Sequence, residues 1–166
     1  MNAKTLNVIP WGYDEIVKVY GNPVREVNGK LETDPVWYTE NLRTFYLPFT
    51  FYTSWSGEPV TKVLCHKLVG EAFVDALYEI KETAGESFLK KYKLNSYGGC
   101  FNPRLKTNSK EISTHWFGIA FDMCPELGPF GELSRLPWWY TEAFLKRGFI
   151  NLWQYDGMHF QACGGY

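Results

Sequence analysis

The sequence predicts an α+β fold in which an antiparallel sheet is packed against helices. Three observations carry this reading. A long stretch near the middle, about residues 62–83, repeats apolar residues at helical spacing. A shorter helical pattern covers 136–146. Aromatic or β-branched segments stand before, between and after these stretches, without strict strand–helix alternation. The 166 residues carry no repeat, low-complexity tract or Ser/Gly linker, so one domain with a substantial core is expected.

The elements follow in order. Trp11-Gly12-Tyr13 precedes a short helix in which Ile16, Val19 and Tyr20 share a face, and Gly21-Asn22-Pro23 stops it. Residues 24–35 read as a polar, turn-rich loop with Asn28-Gly29 as a hairpin signal. Val36 to Tyr52 is aromatic and β-branched, broken by Pro48, which predicts one or two strands. Ser56-Gly57-Glu58-Pro59 is a turn. In the long helix expected next, Leu64, Leu68, Phe73, Leu77 and Ile80 trace one apolar stripe, with Lys and Glu opposite. A helical stretch from Ser87 to Tyr92 leads into a strand over 96–101. Residues 102–112 are polar and Gly-free, a surface loop. Strands are expected around Trp116 to Met123, then a loop over 125–131 and a helix from Leu136 to Lys146 ended by Gly148. Two late strands, near Phe149–Trp153 and Met158–Ala162, finish the chain.

Composition narrows the function. Net charge is −1 with no run of either sign, which leaves no electrostatic footprint for nucleic acid. No apolar run approaches the roughly 20 residues of a membrane span. Met1 to Pro10 lacks the cationic-then-apolar layout of a signal peptide, so the chain is expected in the cytoplasm until released to its target, or as part of a particle. Cys65, Cys100, Cys124 and Cys163 form no CxxC pair and are expected as buried free thiols. Aromatic residues are abundant at 18%; most are expected in the core, with some lining a groove for a carbohydrate or peptide.

The chemistry concentrates in two short segments. Only three histidines are present, and two of them, His115 and His159, stand near Asp122 and Asp156 in Gly-containing stretches. Imidazole and carboxylate together are the usual ligands of a catalytic zinc, which takes three protein ligands and keeps one position open. His115, Asp122 and His159 would supply the three, leaving Asp156 free to move protons. Spacing raises a difficulty. His115 and Asp122 are seven apart, and Asp156 and His159 three apart, so on unbroken strands each pair would face opposite ways. Gly118 and Gly157 are the residues able to break the pleat. His66, in the expected long helix with no carboxylate partner pattern, reads as structural.

Ser113-x-His115-x-x-Gly118-x-Ala120-x-Asp122, followed by Trp153-x-x-Asp156-x-Met158-His159-Phe160, resembles the zinc D-alanyl-D-alanine carboxypeptidase group, which includes VanY-like enzymes and phage L-alanyl-D-glutamate endolysins. Gly98-Gly99-Cys100-Phe101-Asn102-Pro103-Arg104 is similar to that family's arginine-bearing segment, and Gly148-Phe149 also matches. The likeness spans about 60–163. It implies a hedgehog/D-Ala-D-Ala peptidase-like fold, with 61–166 as the catalytic core and 1–60 as an N-terminal extension packed on it. It further implies Zn2+ held by His115, Asp122 and His159, Asp156 as general base and Arg104 as the group facing the carbonyl oxygen. Ser113 matches a motif serine, either beside substrate or at a structural turn. Trp153 is either a wall of the substrate cleft or packing, and for Trp138-Trp139 anchorage of the second helix is favoured over a cleft role.

The implied activity is a zinc-dependent peptidase acting on a peptidoglycan stem peptide next to a D-amino acid, with the phage-type L-alanyl-D-glutamate bond favoured. The alternatives are a D-alanyl-D-alanine carboxypeptidase, for which Lys106 and Lys110 are candidate carboxylate binders, and a non-catalytic zinc-bearing component of a phage particle with a structural partner there.

Overall fold

A computed structural model describes residues 3–166 as an α+β fold. Helix α1 (Tyr13–Tyr20) is followed by a hairpin, β1 (Val24–Val27) and β2 (Lys30–Thr33), which forms at the expected Asn28-Gly29 signal within the stretch read as a loop. Its two-residue turn is Asn28-Gly29, both at positive φ (51° and 74°), the pairing that matches strand twist. Helix α2 (Pro35–Asn41) replaces the start of the strand expected from Val36. Local capping chemistry overrides composition here. Asp34 Oδ1 accepts the amides of Val36 and Trp37 at 2.7 and 3.1 Å, and Pro35 occupies the first helical position.

The main sheet has six strands in the order β4-β3-β5-β6-β8-β7: β3 (Leu42–Thr53), β4 (Pro59–His66), β5 (Ser96–Gly99), β6 (Ala120–Met123), β7 (Ile150–Leu152) and β8 (Asp156–Gln161). It is antiparallel except between β3 and β5, which run parallel, a correction to the all-antiparallel expectation. The long helix also needs correcting. Residues 62–66 belong to β4, and helix α3 (Gly70–Ala84) begins only after the turn that follows it. Val63 and Cys65 are buried in the alternating pattern of a strand, and pairing with β3 fixes them; Leu64 and Leu68, counted in the apolar stripe, leave it. Phe73, Leu77 and Ile80 keep their expected places in the stripe of α3 and are joined by Ala76, all fully buried.

Helix α4 (Glu86–Lys91) and helix α5 (Trp138–Leu145) complete the helices, with a 3-10 turn at Pro125–Leu127. Phe73 on α3 stacks on Phe121 of β6 at 3.7 Å between centroids, and Phe144 on α5 lies 4.5 Å from Phe160 of β8. Each such fully buried ring stabilises the fold by about 2–3 kcal/mol. Arg147, itself buried, ties the two helices together through Asp75 and Glu79. Residues before 60 share this core. Ile16 and Tyr20 are buried in it, and the Tyr20 hydroxyl donates to the Ala162 carbonyl at 2.9 Å. The helices thus press on one face of β6 and β8, and the side chains of the other face are left for chemistry. No helix among the described residues is long and apolar enough to cross a membrane.

Candidate metal centre

His115 does not sit on a strand. Residues 114–118 form a turn held by Trp116 N–H on Ser113 O (2.9 Å) and Gly118 N–H on His115 O (3.0 Å), and β6 starts only at Ala120. Gly118 adopts φ +67° and abuts His66 N, where an added Cβ would stand 3.0 Å away. The break in the pleat therefore falls at Gly118, and it turns His115 toward Asp122.

The second break lies in β8. Asn151 pairs with Phe160, but the next residue, Leu152, pairs with Asp156, so β8 bulges over residues 157–159. The buried Asn151 side chain holds this bulge, its Nδ2 donating to Gly157 O at 3.1 Å and His159 O at 2.8 Å. Gly157 itself lies against Ser134, whose Cα would be 2.4 Å from a Cβ added there. Asp156 and His159 consequently share a side despite their odd spacing.

Two ring nitrogens and the two carboxylate oxygens of Asp122 converge as a result. His115 Nε2 is 3.2 Å from Asp122 Oδ2, His159 Nδ1 is 3.0 Å from Asp122 Oδ1, and the two ring nitrogens are 3.3 Å apart. The remaining ring nitrogens have other partners. His115 Nδ1 faces the Cys100 carbonyl at 2.7 Å, and His159 Nε2 faces Gln161 Oε1 at 3.1 Å, with Thr114 Oγ1 at 3.4 Å. The Gln161 amide donates in turn to Cys163 O, which orients its oxygen toward His159. Each imidazole proton is thereby directed outward, and two nitrogen lone pairs and a carboxylate face one another inside. That arrangement is repulsive unless a metal cation, or a proton on an inner nitrogen, lies between them. The buried His115–Asp122–His159 group could hold a metal ion.

Electrostatics agree with the geometry. Burial alone would raise the Asp122 carboxyl, but hydrogen bonds to His115 and His159 and their charge hold it well below the carboxylate range. Burial would lower the His159 imidazole, yet the Asp122 hydrogen bond and charge raise it. Asp156 is raised by burial and by Asp122, partly offset by His159 and Arg104. Its Oδ1 is buried with no hydrogen-bond partner, and its Oδ2 is 4.0 Å from His159 Nδ1.

A cleft of about 260 Å3 opens on the group, lined by Arg104, Ser113, Thr114, Asp156 and His159 among others. Six of the seven expected site residues are thus gathered: the three ligands, Asp156, Arg104 and Ser113. The Ser113 hydroxyl accepts the His115 amide at 3.3 Å, so it also builds the turn. Trp153 stands apart. It is 55% exposed and lines a neighbouring apolar groove with Leu136 and Trp138, while Phe130 and Tyr155 supply aromatic surface in the cleft. Trp139 packs against the core. His66 is structural, its Nε2 donating to Tyr20 O at 3.2 Å and its Nδ1 accepting from the Leu68 amide, and its burial lowers its pKa to about 4. Gln161, Asn151 and the Cys100 carbonyl were not anticipated. Gln161 was findable, being two residues from His159 on one strand; Asn151 acts across strands and leaves no local signal. The four cysteines are buried free thiols. Comparisons with known protein families, curated proteins and solved structures give no match to this chain.

Proposed function

We propose that the chain is a zinc-dependent peptidase of peptidoglycan that cuts a stem peptide next to a D-amino acid, with an internal bond of the L-alanyl-D-glutamate type as its target. The observation that carries the reading is the triad's spacing. A tetrahedral ion with bonds of about 2.0–2.1 Å separates its ligands by about 3.3–3.4 Å; the two ring nitrogens here stand 3.3 Å apart, and each lies 3.0 or 3.2 Å from its own oxygen of Asp122. Nitrogen and carboxylate donors suit zinc, and no thiolate belongs to the group.

When bound, zinc would supply Lewis acidity that polarises a carbonyl and activates water near neutral pH. The chain's own residues supply the rest. Asp156, buried and unpartnered at Oδ1, takes a proton from the attacking water and returns it to the departing amine. Arg104, in the same cleft, faces the negative charge that grows on the carbonyl oxygen, where one well-aimed donor typically contributes about 3 kcal/mol. Gln161 and the Cys100 carbonyl keep both ligand rings in the tautomers that point inward.

An internal bond is favoured over a terminal one by Lys106. Its ammonium is 2.8 Å from Glu111 and 3.2 Å above the Tyr166 ring, so a free substrate carboxylate would have to displace Glu111. Seventeen basic against eighteen acidic residues leave no positive excess to attract nucleic acid. Action on the wall would follow release from the cytoplasm or carriage on a phage particle. The test is metal content of the purified protein together with product masses from digested cell walls. Stoichiometric zinc and new amino termini at D-glutamate are expected. New termini at D-alanine would move the reading to the carboxypeptidase, and zinc without any cleavage would leave a binding component of a particle.

A further inference from the structure

We infer that Trp11 is the wall of a sugar subsite, at which the far end of the peptidase trough holds the N-acetylated amino sugar that carries the stem peptide. The identity of the sugar rests on the peptidase reading above; the subsite itself rests on the geometry around Trp11.

The cleft does not end beside Asp156. A second hollow, of about 560 Å3, adjoins it, and the two share Lys106, Leu152, Tyr155, Gln161 and Tyr166. They form one trough with the metal-facing side chains toward one end and Trp11 at the other. Trp11 is 68% exposed, as open as Trp55 and Trp138, yet it is firmly seated. Gly12 N–H donates to Gly164 O, and Gly164 N–H to Pro10 O, both at 2.9 Å, bracketing the residue with backbone bonds. The ring lies over two glycines. A Cβ on Gly164 would fall 2.3 Å from its six-membered edge, and one on Gly165 would fall 2.3 Å from Nε1. Any larger residue at either position would lift the ring.

A ring seated on glycine backbone keeps its other surface free and has little rotamer freedom left to lose on binding. Its open face is flat, apolar and electron-rich. The hollow also holds Glu111 and Lys106, an acceptor and a donor fixed side by side at 2.8 Å. A pyranose matches this combination, with C–H groups on its face and hydroxyl and acetamido groups on its rim. The nearby charges cancel, which suits a neutral ring better than an ion. Trp11 belongs to the segment before residue 60, outside the stretch that carries the family resemblance, so this segment would contribute recognition as well as core.

Two measurements on the zinc-loaded full chain test the inference. In the first, kcat/KM is compared for a disaccharide-linked stem peptide and for the same peptide without sugar. The ratio should exceed about 10 in the parent, fall toward 1 in Trp11→Ala and be largely restored in Trp11→Tyr, which keeps an aromatic face. In the second, tri-N-acetylglucosamine is titrated calorimetrically into the parent and Trp11→Ala. Saturable millimolar or tighter binding is expected in the parent and loss of it in the variant. Equal substrate ratios in parent and variant, or sugar binding that Trp11→Ala leaves intact, would overturn the subsite. If the parent cuts neither substrate, the peptidase reading fails, and the titration alone then decides the subsite.

Discussion

Gln161 accepts the outward proton of His159 at 3.1 Å, and only Phe160 separates the two residues on the strand. This contact decides which nitrogen of the ring remains for a metal. Outer partners of this kind typically alter metal affinity 10–100-fold. Gln161→Leu should therefore weaken zinc binding by about that factor in a chelator competition, while Gln161→Glu should strengthen it. Affinity unchanged in Gln161→Leu would mean that the ring is oriented without this bond.

Asp156 is the one carboxylate of the cleft not engaged with both histidines. Asp156→Asn should retain zinc at full stoichiometry yet lose about 10²–10⁴-fold in turnover of a stem peptide. Cell-wall lysis equal to that of the parent would remove Asp156 from the proton-transfer role.

Asn151 bonds the two carbonyls that flank the bulge in β8. Asn151→Leu deletes both donors and leaves two buried acceptors unpaired, a cost of about 1–3 kcal/mol each. Its urea midpoint should fall, and its zinc affinity should fall with it because His159 is no longer held. A variant that is less stable but binds zinc as tightly as the parent would confine Asn151 to general packing.

His66 supplies a pH test distant from the metal. Burial, with a small contribution from Lys67, lowers its pKa from the ordinary 6.5 to about 4 despite the hydrogen bond with Tyr20 O. Above pH 6.5 the ring is neutral in folded and unfolded chains alike, and the neutral ring's contribution is fully present. As pH falls from 6.5 to 4, the unfolded chain takes up a proton that the folded chain refuses, so stability drops, by up to about 3 kcal/mol. His66→Gln cannot titrate. The difference in unfolding free energy between parent and variant should thus shrink as pH falls through this window, and a constant difference would contradict the assignment.

The residues of the site were legible where side-chain chemistry is local. His115, Asp122 and His159 declared themselves by type, and Gly118 declared the break that brings the first two together. The resemblance supplied Arg104, which shares the cleft. Other features needed partners far along the chain. Nothing near residue 62 distinguishes a strand from the first turn of a helix until β3 is known to lie alongside. Asp34-Pro35 did carry a helix-start signal, masked by the aromatic and β-branched residues after it. The Asn151 contacts and the trough leading to Trp11 depend on strand register, which pattern alone does not specify. Trp153 shows the converse, since a motif position can be matched while its ring faces a different groove.

The contact between Gly157 and Ser134 bears on how such a molecule can diversify. One rim of the cleft, 128–134, is locked to the very strand that bears His159 and Asp156, so lengthening or grafting it would pry that strand loose. The opposite rim, 104–113, closes on itself through Leu105 and Ile112. Novelty in what this scaffold accepts should accordingly enter through the tip of the second rim, residues 107–110, which leaves Arg104 and Ser113 in place, and laboratory evolution would do well to randomise there first.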